Sequence, residues 1–131
     1  MSALVYLLDS EGLSQAVLGH RAMGARLKDA DRSGIRVVTT SMTLIEAYHK
    51  RVKQAAWKWT LSRIAVEPVT QEIAGEAIGL LETAGLHGHK YAIDAALAAV
   101  ALRQRGDVSI FTSDEDDMRL LCGDRVVIHG I

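Results

Sequence analysis

Short, continuous apolar runs alternate along this chain with longer stretches of mixed polarity. Leu4 to Leu8 carries no charge, the pattern of a strand buried on both faces, and predicts a central strand. After Gly12 the apolar residues fall at Val17, Leu18, Met23 and Leu27 and the pattern ends near Gly34, which predicts one or two amphipathic helices. Ile35 to Thr39 reads as a second strand. Ser41 offers a capping hydroxyl and Met42 to Arg63 contains no breaker, so a long helix or a helical hairpin is expected there. Ile64 to Val66 predicts a brief third strand before Pro68, and Thr70 caps a helix over Gln71 to Thr83 that Gly85 stops. Leu86 to Lys90 reads as a loop. A helix over Tyr91 to Arg105, a turn at Gly106, a strand over Val108 to Thr112, a helix over Asp116 to Cys122 and a strand over Arg125 to Ile128 complete the chain. Strands alternating with helices imply an α/β fold of three layers, α/β/α, around a mostly parallel sheet of about 4–5 strands.

Composition narrows this picture. The chain has 131 residues, enough for one domain spanning 1–131, and its 49% hydrophobic content can bury a normal core. A net charge of −1 provides no global field toward nucleic acid or anionic membrane, so any polyanion must meet a local patch. The single cysteine, Cys122, has no internal disulfide partner, and the start MSALVYLLDS lacks a cationic region and a long apolar core; a reduced, cytoplasmic setting is expected. Asp94 and Arg103 interrupt and bound the longest apolar candidate, which falls short of the ~18 residues of a membrane span.

The acids change the picture most. Asp94 is the only charge in the run Tyr91 to Leu102, where an uncompensated carboxylate is costly. Asp9 closes the first apolar run, Glu46 follows Met42, Leu44 and Ile45, and Asp114 follows the strand Val108 to Thr112. In a parallel sheet the carboxyl ends of the strands share one edge, and ligands bind there where strand order reverses. Carboxylates gathered at such an edge repel one another, and a divalent cation relieves that repulsion. Oxygen-only ligands favour Mg²⁺ or Mn²⁺ over Zn²⁺. The histidines are scattered, and His87 and His89 lack a cysteine or HExxH context. Each acid also has a plain structural reading. Asp94 can cap a helix from Ala95, Glu46 can pair with Lys50, Asp9 can accept from loop amides, and Asp114 to Asp117 suit a helix macrodipole. Their conjunction favours a site.

Four blocks carry a wider likeness: LLDS at Leu7 to Ser10, SMTLIEAY at Ser41 to Tyr48, AIDAALAAVAL at Ala92 to Leu102 and FTSDEDDMRLL at Phe111 to Leu121. In order and spacing the chain resembles the PIN-domain family of metal-dependent nucleases, most of all the VapC-type toxin ribonucleases of type II toxin–antitoxin systems. The resemblance implies Asp9, Glu46, Asp94 and Asp114 as ligands of Mg²⁺ or Mn²⁺, Thr112 as the hydroxyl before the last acid, and Asp117 as a second aspartate of the final block. It implies hydrolysis of RNA phosphodiesters, a small antitoxin protein as partner, and a homodimer. Glu11 and Asp116 are additional acids beside the expected ones, which leaves open whether Asp114, Asp116 or Asp117 completes the site.

Lys50, Arg51, Lys53, Lys58 and Arg63 form a local basic stripe that contains Trp57 and Trp59. It is a candidate for binding RNA by stacking on bases or for anchoring the antitoxin. Two other readings stay open: an RNA-processing nuclease that is not a toxin, and a non-catalytic module acting in protein contacts. Phosphoryl-transfer and receiver domains fit poorly, because Ser10 and Glu11 follow Asp9 and no lysine follows Lys90. Asp94→Asn and Asp9→Asn are both expected to leave folding nearly intact while abolishing cleavage.

Overall fold

A computed structural model describes residues 4–131. The elements are β1 (Leu4–Leu8), α1 (Ser10–Leu18), α2 (Arg21–Ser33), β2 (Arg36–Thr40), α3 (Ser41–Ala47), α4 (Gln54–Ser62), β3 (Ala65–Glu67), α5 (Gln71–Ala84), α6 (Gly88–Arg103), β4 (Asp107–Thr112), α7 (Glu115–Cys122) and β5 (Val127–Gly130). The five strands form one sheet in the order β3-β2-β1-β4-β5, and every neighbouring pair is parallel. The chain therefore winds outward from β1 through β2 and β3, then returns to lay β4 and β5 on the other side of β1. Crossovers of one hand in the two directions put α1 to α4 on one face and α5 to α7 on the other.

Strand alternation divides the core accordingly. Val5, Leu7, Val38, Val108 and Ile110 pack under α5, α6 and α7 against Ile73, Leu81, Leu97 and Met118. On the opposite face Leu8, Val37 and Phe111 meet Met23 and Ala30 of α2. A third cluster of Leu13, Val17, Ala47 and Val52 joins α1 to α3 and the connection after it. The sequence of α6 sets its depth: Ala95, Ala96, Ala98, Ala99 and Ala101 are all buried, so the helix lies close to the sheet while Leu97 and Val100 fill the remaining space. Cys122, at the end of α7, is buried in the same cluster, and that burial pushes its thiol up to about 11.

Several boundaries differ from the sequence reading. Where a long helix or a helical hairpin is expected over Met42 to Arg63, the structure has two short helices separated by residues 48–53. No breaker residue interrupts it; the break comes from tertiary packing, with Val52 drawn into the third cluster and the Tyr48 ring edge-on to Trp57 at 5.1 Å between centroids. The cap of α3 is Thr40, whose hydroxyl accepts from the Thr43 N–H, and the Ser41 hydroxyl instead accepts from Val69 N–H and pins the loop before α5. The chain separates α1 from α2 at Gly19, which takes φ of 73° and receives a left-handed cap. The last strand lies two residues later than expected, at Val127–Gly130. Most consequential, α6 begins at Gly88, so most of the predicted loop Leu86 to Lys90 is helix. No helix among the described residues is long and apolar enough to cross a membrane.

The close approach of α6 yields a test. Ala98 is fully buried against the sheet, so Ala98→Leu should overpack that contact and destabilise the protein by roughly 1–3 kcal/mol, read as a lower urea midpoint with unchanged m-value.

Candidate active site

The point where strand order reverses lies between β1 and β4, and Asp9 sits directly beyond β1 there. The Asp9 carboxylate is only 3% exposed, and both of its oxygens are held. Oδ1 accepts from the Gly12 N–H at 2.8 Å, which caps α1. Oδ2 accepts from the Ser113 N–H at 2.9 Å and faces the Ser113 hydroxyl at 3.5 Å. Gly12 permits this tight first turn, because a Cβ there would lie 3.3 Å from Leu8 Cβ and 3.4 Å from the Phe111 carbonyl oxygen. Asp9 thus ties the β1–α1 turn to the β4–α7 loop.

Beyond β4, the buried Thr112 hydroxyl accepts from the Asp114 N–H at 2.9 Å and fixes that loop. Asp114 occupies the N-cap position of α7, yet its side chain makes no capping hydrogen bond, so its carboxylate remains free. Asp94 lies in the second turn of α6. That helix runs toward the start of β4, and near its far end Gln104 accepts from the Arg36 guanidinium at the opening of β2, so its first half faces the carboxyl edge. Glu46 comes from the last turn of α3, which touches both α1 and α6.

These elements enclose a cavity of about 150 Å³ lined by Glu46, Lys90, Tyr91, Ile93, Asp94, Asp114 and Asp117. The Asp94 carboxyl is pushed up to about 7, first by burial and then by the negative charges of Asp114, Asp9, Glu46 and Asp117. The Asp114 carboxyl is raised as well, again by burial first and then by Asp9, Asp117 and Glu46, with Lys90 opposing. The structure therefore brings Asp94 and Asp114 within electrostatic reach of Asp9, Glu46 and Asp117, five carboxylates drawn from four separate segments of the chain. Among the described residues, no group of three or more His, Cys, Asp or Glu stands arranged to hold a metal ion on its own. An open set of this kind suits a hard cation that keeps several waters and takes one or two carboxylates plus substrate phosphate.

Other acids are left out. Glu11 is exposed and accepts from Gln15, Glu115 pairs with Arg119, and Asp116 is exposed outside the cavity, which leaves Asp114 and Asp117 as the members of the final block at the site. The capping reading of Asp94 fails, since α6 starts six residues before it. Glu46 and Lys50 form no ion pair among the described residues, because α3 ends at Ala47.

The basic stripe is a separate feature. Lys50, Arg51, Lys53 and Lys58 are exposed, and none lines the cavity. Trp57 is half-buried against the third core cluster. Trp59 is 61% exposed, and the Arg63 guanidinium lies 5.0 Å from its ring centre.

Lys90 and Tyr91 were not anticipated. Reading Leu86 to Lys90 as loop conceals the register of Lys90, which stands four residues before Asp94 on its face; Tyr91, three before it, opens the expected helix without a signal of its own.

No protein-family model matches the chain, and no curated protein matches it. Among solved structures it is similar to a chain of VapBC2 from Rickettsia felis, bound to a DNA fragment from their promoter. The likeness has a TM-score of 0.69 at 15% identity and covers 97% of this chain and 98% of that one. At that identity it establishes the fold, a PIN-like α/β/α arrangement around one parallel sheet.

The aspartates differ in what their removal should do. Between pH 3.8 and about 7 the folded chain holds a proton on Asp94 that the unfolded chain has lost, so stability falls as pH rises through that window and stays lowered above it. Asp94→Asn removes this term: in chelator the variant should melt about 3–6 °C above the parent at pH 8 and about equal to it near pH 4. Asp9→Asn should behave in the opposite way, since an amide nitrogen would face a backbone N–H now satisfied by a carboxylate oxygen. A loss of roughly 1–3 kcal/mol in urea melts is expected, so it is not the neutral substitution that sequence alone suggests.

Proposed function

We propose that this chain is a metal-dependent endoribonuclease that hydrolyses RNA phosphodiester bonds and acts as the toxin of a type II toxin–antitoxin pair. The observation that carries the reading is the negative charge that Asp9, Glu46 and Asp117 bring to bear on Asp94 and Asp114 at the point where strand order reverses. Such a cluster, with one carboxyl raised to about 7, is relieved by protons or by a divalent cation, and above that pH the cation is the effective one.

Asp94, Asp114 and Asp9 would hold Mg²⁺ or Mn²⁺, with Glu46 and Asp117 completing the negative wall. When bound, the cation supplies charge neutralisation of the scissile phosphate and a lowered pKa for the attacking water. Asp9 contributes rigidity, because its backbone partners prevent it from swinging. Asp94 and Asp114 contribute free oxygens, and Thr112 holds the Asp114 backbone in place through its hydroxyl. Glu46, exposed at the end of α3, would orient water or cation. Without cation the same wall repels a polyanion, so binding and hydrolysis share one requirement.

The toxin half of the reading draws on the fold likeness to a chain of the VapBC2 structure. For an antitoxin, the exposed Trp59 borders an apolar groove of about 410 Å³ lined by Leu27, Ile35, Val37 and Ile64, whereas Trp57 is committed to the core. The exposed Lys50, Arg51, Lys53 and Lys58 would attract RNA or acidic antitoxin residues. A homodimer belongs to the same reading and is checked by light scattering.

The test is cleavage of a structured RNA pool by purified protein. Cleavage is expected in Mg²⁺ or Mn²⁺, should be lost in EDTA, and should fall at least ~100-fold in Asp94→Asn. Cleavage that persists in EDTA or in the variant would remove the proposed site. A folded protein that cuts nothing in Mn²⁺ but retains a small partner would favour the non-catalytic module.

A further inference from the structure

The cavity of carboxylates has one basic residue in its wall. Lys90 lies in the first turn of α6, one helical turn before Asp94, and is the single cation among the described residues that line this cavity. We propose that Lys90 contacts a phosphate of the bound polynucleotide, a role that rests on the nuclease reading above and places substrate recognition inside the acidic site itself.

Three observations support the assignment. Lys90 takes part in no ion pair among the described residues, so its ammonium remains available to a ligand. Its position is restrained: the ammonium lies 5.3 Å from the Tyr91 ring centre, and the His87 ring meets the same tyrosine edge-on at 6.0 Å. Its charge reaches the site, since it opposes the upward shift of Asp114.

The site also needs such a group. Five carboxylates outweigh a single divalent cation, and an incoming phosphate adds further negative charge. A lysine is a compact point charge with three donors, suited to a phosphate oxygen whose position varies along a flexible strand. The basic stripe cannot take this place, because Lys50, Arg51, Lys53 and Lys58 all lie outside the cavity wall. They can raise the local concentration of RNA; Lys90 can touch the phosphate next to the acids.

The test separates this proposal from the nuclease reading. In an Asp94→Asn background, affinity for a fluorescent single-stranded oligoribonucleotide of mixed sequence is measured in Mg²⁺ across about 50–200 mM KCl, with and without Lys90→Ala. Loss of Lys90 is expected to weaken binding about 3–10-fold and to flatten the log–log salt slope by about 0.7, the counterion share of one single-strand phosphate. Lys90→Arg should restore both. In the otherwise unaltered chain, Lys90→Ala should lower kcat/KM roughly 10–100-fold, with a melting temperature within about 1 °C of the parent because the residue is exposed. Equal affinity and equal slope with and without Lys90 would overturn the proposal, whatever the unaltered chain does to RNA. A lost slope increment in a chain that cleaves nothing would keep Lys90 as a phosphate contact and remove hydrolysis alone.

Discussion

Much of this structure depends on one buried carboxylate. Asp9 accepts backbone N–H groups from two segments that are more than a hundred residues apart in sequence, Gly12 in the first turn of α1 and Ser113 in the loop after β4. Those segments leave the two strands between which strand order reverses, so this one side chain joins the two halves of the sheet at the edge where the other acids converge. The same charge that satisfies both segments also raises Asp94 and Asp114. Removing it would relieve the repulsion and loosen the frame together, which is why structural and electrostatic roles cannot be separated at this residue. They can be at Asp94, which takes no part in capping its helix.

The fold was legible wherever the chain expresses burial as composition. The runs Leu4 to Leu8 and Val108 to Thr112 are continuous because both faces of a central strand are covered, and each was recovered within a residue or two. The boundaries that escaped are those set by distant contacts. Nothing local marks the break at residues 48–53, which follows from Val52 and Trp57 packing into a cluster with α1. The choice of Thr40 over Ser41 as cap depends on the hydroxyl being needed by Val69 from another loop. The candidate site was legible as isolated acids at element ends, since a carboxylate among apolar residues is conspicuous. Lys90 was not, because a polar residue at a helix start looks like any solvated one until its register against Asp94 is known.

Acidic and basic features occupy different parts of the surface. Glu46, Asp94, Asp114 and Asp117 line one cavity, and the cations of the stripe stand on the exposed outer helix and its preceding loop. The two tryptophans divide in the same manner: Trp57 braces the helix from within, while Trp59 stays in solvent beneath Arg63. This arrangement lets a helix that is held firmly by one aromatic face present another to solvent without loss of core.

Cys122 gives the chain an internal reporter. Its thiol is enclosed between α6 and α7 and held near 11, so in the closed fold it is inert toward electrophiles and oxidants at neutral pH. Reaction there requires the end of α7 to open, and the same helix carries Asp117 in its first turn. The rate at which an alkylating agent consumes this one thiol is therefore a clock for the opening of the C-terminal end of α7.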